Sequence, residues 1–240
     1  MKEEVMKEYY NNIYSKRKGE QGQPDPPVRM LRSKINIYSR DLNLTGAKIL
    51  DVAGGTGNKL EIFSGMNDLY LVDISEIALK EASKKGIKTY CLNLEEEDLP
   101  FKDNTFDLAI CTEVIEHIYN YRHLLAEIKR VLNKHGYLIL TTPNLTSLSG
   151  RITMLFGFPP TSLLWDESHV RFFRFSDLKG LIEEEGFKII KSETSGVYLN
   201  TPKIGFIKIP FLDKFLKNLG EHIILLCKSI NGEAKNALER

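Results

Sequence analysis

From Lys48 onward, short unbroken apolar runs alternate with stretches in which apolar side chains recur every three or four positions. The unbroken runs suit strands buried on both faces, and the wider spacing suits helices that bury one face. Strands are predicted near 48–52, 69–73, 87–91, 106–112 and 137–142, with helices near 57–65, 75–85 and 114–133 between them. Ser75 stands where its side chain can cap the helix whose apolar positions include Ile77, Ala78 and Leu79. "SDLKGLIEEEGF" reads as a further helix, with Ser176 as cap and Gly186 as stop. It leads into a strand near 187–192, and "HIILLCKSI" makes a last strand near 222–230. Such alternation is the pattern of an α/β fold, a largely parallel sheet with helices on both faces, here with seven strands.

Three stretches stand outside the alternation. Residues 1–40 read as two helices around the loop "GEQGQPDPP", a helical lid on a domain that spans 41–230. Residues 143–170 form a long connection rich in Phe, Pro and Leu. Residues 196–221 contain the amphipathic run "FIKIPFLDKFLKNLG", and from 231 to 240 a polar, flexible tail is expected. Long connections on α/β sheets often build substrate sites, so 143–170 and 196–221 are expected to form an acceptor pocket. Phe156, Phe158 and Trp165 would lend it apolar surface, though core packing explains such residues equally well.

Charge narrows the partners. The 33 basic and 32 acidic side chains nearly cancel, so no global field attracts nucleic acid or an anionic membrane. No apolar run reaches the roughly 18 residues of a membrane span, and the N-terminus is too charged for a signal peptide. Lys208, Lys214 and Lys217 lie among bulky apolar groups, which leaves peripheral membrane contact open beside the plainer reading of a helix packed on its own domain. Cys91, Cys111 and Cys227 make a poor disulfide framework and read as buried free thiols. A cytoplasmic protein is expected.

"ILDVAGGTGN", Ile49 to Asn58, carries the first chemical signal. A strand that ends in an acid and breaks into glycines lets backbone approach a nucleotide-like cofactor closely. A dinucleotide fingerprint needs a third glycine, yet Asn58, Lys59 and Leu60 follow Gly57. Asp51 suits a cofactor with a cationic amino group, and Asp73, ending the second strand in "YLVDIS", can accept from two ribose hydroxyls. At these residues the chain resembles the class I S-adenosylmethionine-dependent methyltransferases. The order glycine turn, Asp73, "LPF…FD", "EVIEH" and "GYLILTTPN" extends the resemblance from about Lys48 to Lys228. It implies a Rossmann-like seven-stranded sheet with its last strand antiparallel, and S-adenosylmethionine as cofactor. The cofactor would be lined by Asp51, Ala53, Gly54, Gly55, Thr56, Gly57, Asp73, Ile74, Asn93, Leu94 and Thr112. Tyr14, on the N-terminal helix with Tyr9 and Tyr10, would close over it or else pack on the sheet. Ala53 departs from the family's usual glycine, and Asn93 from its usual aspartate; an amide oxygen can still accept from an adenine amino group.

In "TEVIEHI", Glu113, Glu116 and His117 are spaced so that one helical turn would bring them to one face. The string looks like the E-x-x-E-H motif of two methyltransferase groups, one acting on ubiquinone precursors and one on the terminal 2′-hydroxyl of small RNAs. By that resemblance Glu113, Glu116 and His117, with His169 from "WDESHVRFF", would hold a divalent metal. His117, His169 and Glu113 would be the catalytic set. Without a metal, the same residues suit helix-start and substrate-contact roles. His123, His135 and His222 read as surface or core residues. The expected function is O-methylation of a small-molecule hydroxyl with apolar surface around it, on a quinone precursor, lipid or sugar-like acceptor. The alternatives are a metal-assisted RNA methyltransferase, a non-catalytic cofactor-binding regulator and, more remotely, a nicotinamide dehydrogenase.

Overall fold

The computed structural model describes residues 3–17, 26–160, 168–201, 205–209 and 218–230. Helices α1 (Glu3–Arg17) and α2 (Pro26–Asp41) precede strand β1 (Lys48–Val52). There follow β2 (Asp68–Asp73), α3 (Glu76–Ser83), β3 (Lys88–Cys91), β4 (Phe106–Thr112), α4 (Tyr121–Val131), β5 (Leu132–Pro143) and α5 (Leu148–Leu155). The described chain continues with α6 (Phe175–Glu184), β6 (Phe187–Thr194), a hairpin of β7 (Tyr198–Thr201) and β8 (Gly205–Lys208), and β9 (His222–Ser229). The main sheet runs β3-β2-β1-β4-β5-β9-β6, seven strands as expected. β1, β2, β3, β4 and β5 pair in parallel; β9 is inserted antiparallel between β5 and β6.

Alternation along each strand divides the apolar side chains between two cores. Leu50 and Val52 face one side, where Leu124, Leu125 and Ile128 of α4 and Leu178 and Ile182 of α6 cover them. Ile49, Leu108, Ile110 and Ile139 face the other, under Leu31, Ile35 and Tyr38 of α2 and Leu79 and Ala82 of α3. Helices therefore cover both faces, and α2 belongs to the body of the domain. The strand order reverses between β1 and β4, so a crevice opens at their carboxyl ends. Among the described residues, no helix is long and apolar enough to cross a membrane.

Several local expectations are corrected. The helix expected near 57–65 is a succession of tight turns ending in a 3-10 turn, Glu61–Phe63. Its bonds run three residues back, from Gly57 N–H to Gly54 O, Leu60 N–H to Gly57 O and Phe63 N–H to Leu60 O. Gly57 (φ +73°) and Gly65 (φ +80°) bracket a stretch too short to repay α-helix nucleation. The helix expected over 114–133 is divided into a 3-10 turn, Ile115–His117, and α4, with Ile118 extended between them. Ser176 does not cap α6: the helix begins at Phe175 with Arg174 at the cap position, and the Ser176 hydroxyl donates to Asp177. Ser75 does cap α3, accepting from Ala78 N–H at 3.3 Å, and Gly186 (φ +81°) follows the end of α6. Cys111 and Cys227 are buried free thiols, whereas Cys91, on the outer strand β3, is exposed. Part of the amphipathic run after 205 is strand β8; its residues 210–217, the tail from 231 and Trp165 lie outside the described residues.

Candidate functional site at the carboxyl ends of β1, β2 and β4

β1 ends in a fully buried acid, Asp51, and the chain then turns sharply. Ala53 has φ +51° and Gly55 has φ +59°. A left-handed alanine costs roughly 1–2 kcal/mol, which is the physical reason a glycine would be easier at 53. Gly54 must be glycine for another reason, because a Cβ there would stand 2.5 Å from the Asp51 carboxyl carbon. A Cβ on Gly55 would overlap the Tyr14 hydroxyl, so α1 lays Tyr14 directly over the turn. Asn11 of the same helix accepts from the Ser75 hydroxyl at 2.7 Å, and Lys7 pairs with Glu76 at 2.5 Å. Thr56, within the turn, is half-buried. The N-terminal helix is thereby fastened to the rim of the crevice.

Asp73, almost fully buried at the end of β2, accepts from Gly55 N–H and Ser75 N–H, each at 2.8 Å. Burial raises its pKa, and the backbone donors at Ser75, Gly55 and Ile74 act against that rise. The carboxylate ties the glycine turn to the start of α3 while keeping lone pairs for further donors. Asp51 is less well provided: neither oxygen has a hydrogen bond among the described residues, and Lys59 Nζ lies 3.8 Å from Oδ1. Burial pushes its pKa up to about 6; Lys59 opposes the shift and Asp73 adds to it.

Asn93 offers a donor as well as an acceptor. Its side-chain oxygen already accepts from Glu95 N–H at 3.1 Å, and its buried Nδ2 is the atom with no partner among the described residues. Towards a base Nδ2 can donate, and the oxygen keeps a second lone pair. Leu94 is buried beside it, Ile74 is half-buried after β2, and Thr112 is buried at the end of β4.

Past Thr112 the chain does not form the single helical turn that would align Glu113, Glu116 and His117. Glu113 takes φ +56°, and the 3-10 turn begins only at Ile115. Glu116, His117 and His169 do converge: each offers one ligand atom, and these atoms lie within 4.8 Å of one another. The 168–171 segment is held there by Glu116 O, which accepts from Val170 N–H at 2.9 Å and Arg171 N–H at 3.1 Å. Glu116 Oε2 accepts from the buried Thr142 hydroxyl at 2.8 Å, and His117 Nδ1 lies 2.8 Å from the Ser168 hydroxyl. The His117 and His169 ring centres are 4.7 Å apart. Glu113 is not a member of this group. Its carboxylate accepts from Thr141 Oγ1 at 2.8 Å and faces His222 Nε2 at 3.5 Å.

A divalent ion fits the chemistry of the Glu116–His117–His169 set. One carboxylate and two imidazoles are ordinary ligands for a transition ion, and a hydroxyl on Nδ1 would orient His117 to ligate through Nε2. Sequence reasoning missed Lys59, Thr141, Thr142, Ser195 and His222. His222 had a usable signal: an antiparallel final strand begins at the carboxyl end of its parallel neighbours. Phe156 and Phe158 prove to be 71% and 66% exposed, with Met154 and Leu155 also at the surface, so they are not core.

Comparison with known proteins gives a consistent result. A family described as "Methyltransferase domain" matches residues 50–140. An uncharacterized Methanocaldococcus jannaschii protein, MJ0638, is 32% identical, with 74% of this chain and 76% of that protein covered. The O-methyltransferase rstn1 of Aspergillus nomiae is 30% identical, covering 68% of this chain and 76% of its own length. Among solved structures, magnesium protoporphyrin IX methyltransferase from Synechocystis PCC 6803, with bound SAH, superposes with a TM-score of 0.63 at 16% identity over 94% of this chain and 98% of that chain.

Proposed function

Because this chain belongs to the class I S-adenosylmethionine-dependent methyltransferases, we propose that it transfers the sulfonium methyl to a hydroxyl oxygen of a small molecule. The observation that carries this reading is the convergence of Glu116, His117 and His169 past the carboxyl end of β4, the strand paired with the one that leads into the glycine turn. Methyl transfer from a sulfonium releases a neutral thioether, so the leaving group needs no acid. The protein's task is to hold the nucleophile in line with the methyl carbon and to take its proton.

In this reading the cofactor lies across the turn from Ala53 to Gly57. Asp51 meets its amino group, Asp73 its ribose hydroxyls, and Asn93 and Leu94 its base, with Tyr14 above the turn. Glu116, His117 and His169 contact the acceptor from the β4 side, and a divalent ion in their grasp would lower the pKa of the acceptor hydroxyl. His117, fixed by Ser168, and Glu116, fixed by Thr142, present their polar atoms in one orientation. The exposed apolar tip formed by Met154, Leu155, Phe156 and Phe158, on the connection that returns to His169, supports an acceptor with apolar surface.

The test is a screen of extract fractions with methyl-labelled S-adenosylmethionine. Label recovered in a small molecule as a methoxy group is the expected result. Label confined to carbon, to nitrogen or to macromolecules overturns the assignment.

A further inference from the structure

Glu113 stands three residues before Glu116 yet carries its carboxylate to a different set of partners. Its backbone is in the left-handed region at φ +56°, a conformation that costs a glutamate roughly 1–3 kcal/mol and persists only where the surroundings enforce it. The enforcement is visible on both sides of the residue. Glu113 N–H donates to Thr141 O at 3.0 Å, and Thr141 Oγ1 donates back to Glu113 Oε1 at 2.8 Å. The second oxygen faces His222 Nε2 at 3.5 Å.

His222 is itself held in place by Ser195. Ser195 N–H donates to His222 O at 3.0 Å, and His222 N–H donates to Ser195 Oγ at 3.1 Å. The fully buried hydroxyl also lies 3.1 Å from His222 Nδ1; the Glu113 carboxylate opposite Nε2 favours the proton on that nitrogen, which leaves Nδ1 to accept from the hydroxyl. A ring that accepts at Nδ1 carries its proton on Nε2, the nitrogen that faces Glu113. The chain of groups therefore runs Ser195 hydroxyl, His222 imidazole, Glu113 carboxylate, with Thr141 as a second donor. Only the last member reaches open space: the Glu113 side chain is 33% exposed, that of His222 14%.

We propose that Ser195 and His222 are positioning residues that hold Glu113 as the proton acceptor for the methylated hydroxyl. The proposal rests on the O-methylation reading above. As the acceptor oxygen forms its bond to the methyl carbon, the carbon–sulfur bond breaks and its electron pair stays on sulfur as the neutral thioether. The hydroxyl proton passes to Glu113, and from its partly exposed side chain to solvent. The nearby group of Glu116, His117 and His169 orients the acceptor, while Glu113, which stands outside that group, receives the proton.

The test has two arms on the full chain. In the first, long-range proton–nitrogen spectra of histidine-labelled protein should show His222 as the neutral Nε2–H tautomer, and Ser195→Ala should relax it to a mixture. In the second, His222→Leu should lower kcat on the extract fraction that takes the label by about ten- to a hundredfold, below the range for deleting a general base outright. The KM for S-adenosylmethionine and the affinity for S-adenosylhomocysteine should stay unchanged. His222→Gln, which keeps a donor at the ε position, should recover most of the rate. An Nδ1–H tautomer in the wild type overturns the proposal. So does full kcat in His222→Leu, or a loss of S-adenosylhomocysteine affinity in step with kcat, which would make the residue merely structural. Label found on carbon or nitrogen with the Nε2–H tautomer intact defeats the O-methylation reading instead.

Discussion

Asp51 allows a quantitative test of where the cofactor's amino group sits. The carboxylate is fully buried, lacks hydrogen bonds among the described residues, and has its nearest charged nitrogen, Lys59 Nζ, at 3.8 Å. Burial raises its pKa from the ordinary 3.8 to about 6, a preference for the neutral form of about 3 kcal/mol. A cationic amino group against this carboxylate requires the ionised form, so below about pH 6 binding must expel a proton. The affinity for S-adenosylhomocysteine should then fall about tenfold between about pH 7 and about pH 5, with roughly half a proton released per binding event near pH 6. Titration calorimetry in two buffers of different ionisation enthalpy measures both quantities. Asp51→Asn, which cannot ionise, should bind more weakly at about pH 7 and show a flatter pH profile; any remaining slope belongs to Asp73. The sign for stability is opposite. A carboxyl whose folded pKa is raised favours the folded state in acid, so the ligand-free domain should hold the about 3 kcal/mol below about pH 4 and lose it as pH climbs through about 6. An unchanged affinity across this range, or an Asp51→Asn profile that matches the wild type, would place the amino group elsewhere.

Asp73→Ala should weaken S-adenosylhomocysteine binding by more than the roughly ten- to a hundredfold of one charged hydrogen bond, because the Gly55 and Ser75 N–H groups lose their acceptor too. Asp73→Asn should fall between, since its amide oxygen can satisfy one of the two donors; equal affinity in all three proteins by calorimetry would remove Asp73 from the site. Gly55→Val should abolish cofactor binding, and thermal melting should show a loss of roughly 1–3 kcal/mol from the strained φ and the displaced Tyr14. Wild-type folding stability in that variant would show that α1 does not close on the turn. Protein dialysed against Mn²⁺ or Zn²⁺ should retain about one ion by elemental analysis, and Glu116→Gln or His117→Ala should retain much less, with the melting curve little changed. Retention that is insensitive to these substitutions would leave the three side chains as metal-free acceptor contacts.

The sheet was legible because its evidence is local and repeated: strands such as Phe106–Thr112 bury both faces and must be apolar throughout. The glycine turn was legible because the chain must tighten between Asp51 and Gly57, and few residue types allow that. The region after β4 was harder to read. Its residue types favour a continuous helix over 114–133, but the backbone is extended at Ile118, and just before the stretch Glu113 pairs with Thr141 in the left-handed region. Glu113 meets Thr141 and His222 while Glu116 and His117 meet His169, so an aligned spacing in sequence became two separate clusters in space. The roles of Ser195 and His222 depend on the register of β9 against β6, which no local pattern encodes.

β9 has a consequence for the order in which the molecule can be built. It lies between β5 and β6 although it follows both in the chain, and β6 bonds to no other strand of the main sheet. On the ribosome, β1 to β5 can assemble as they emerge, but β6 must wait with α6 beside it for a partner still to be made. During that interval two strand edges stand open, at β5 and at β6, each able to capture a foreign strand. The segment that closes them is Ile223–Cys227, five consecutive apolar residues that end up buried. Loss of this segment would not trim an edge; it would leave a gap in the middle of the sheet. Quality control of a nascent chain is therefore expected to hinge on these five residues, which belong to the last-made strand of the main sheet and join its two halves.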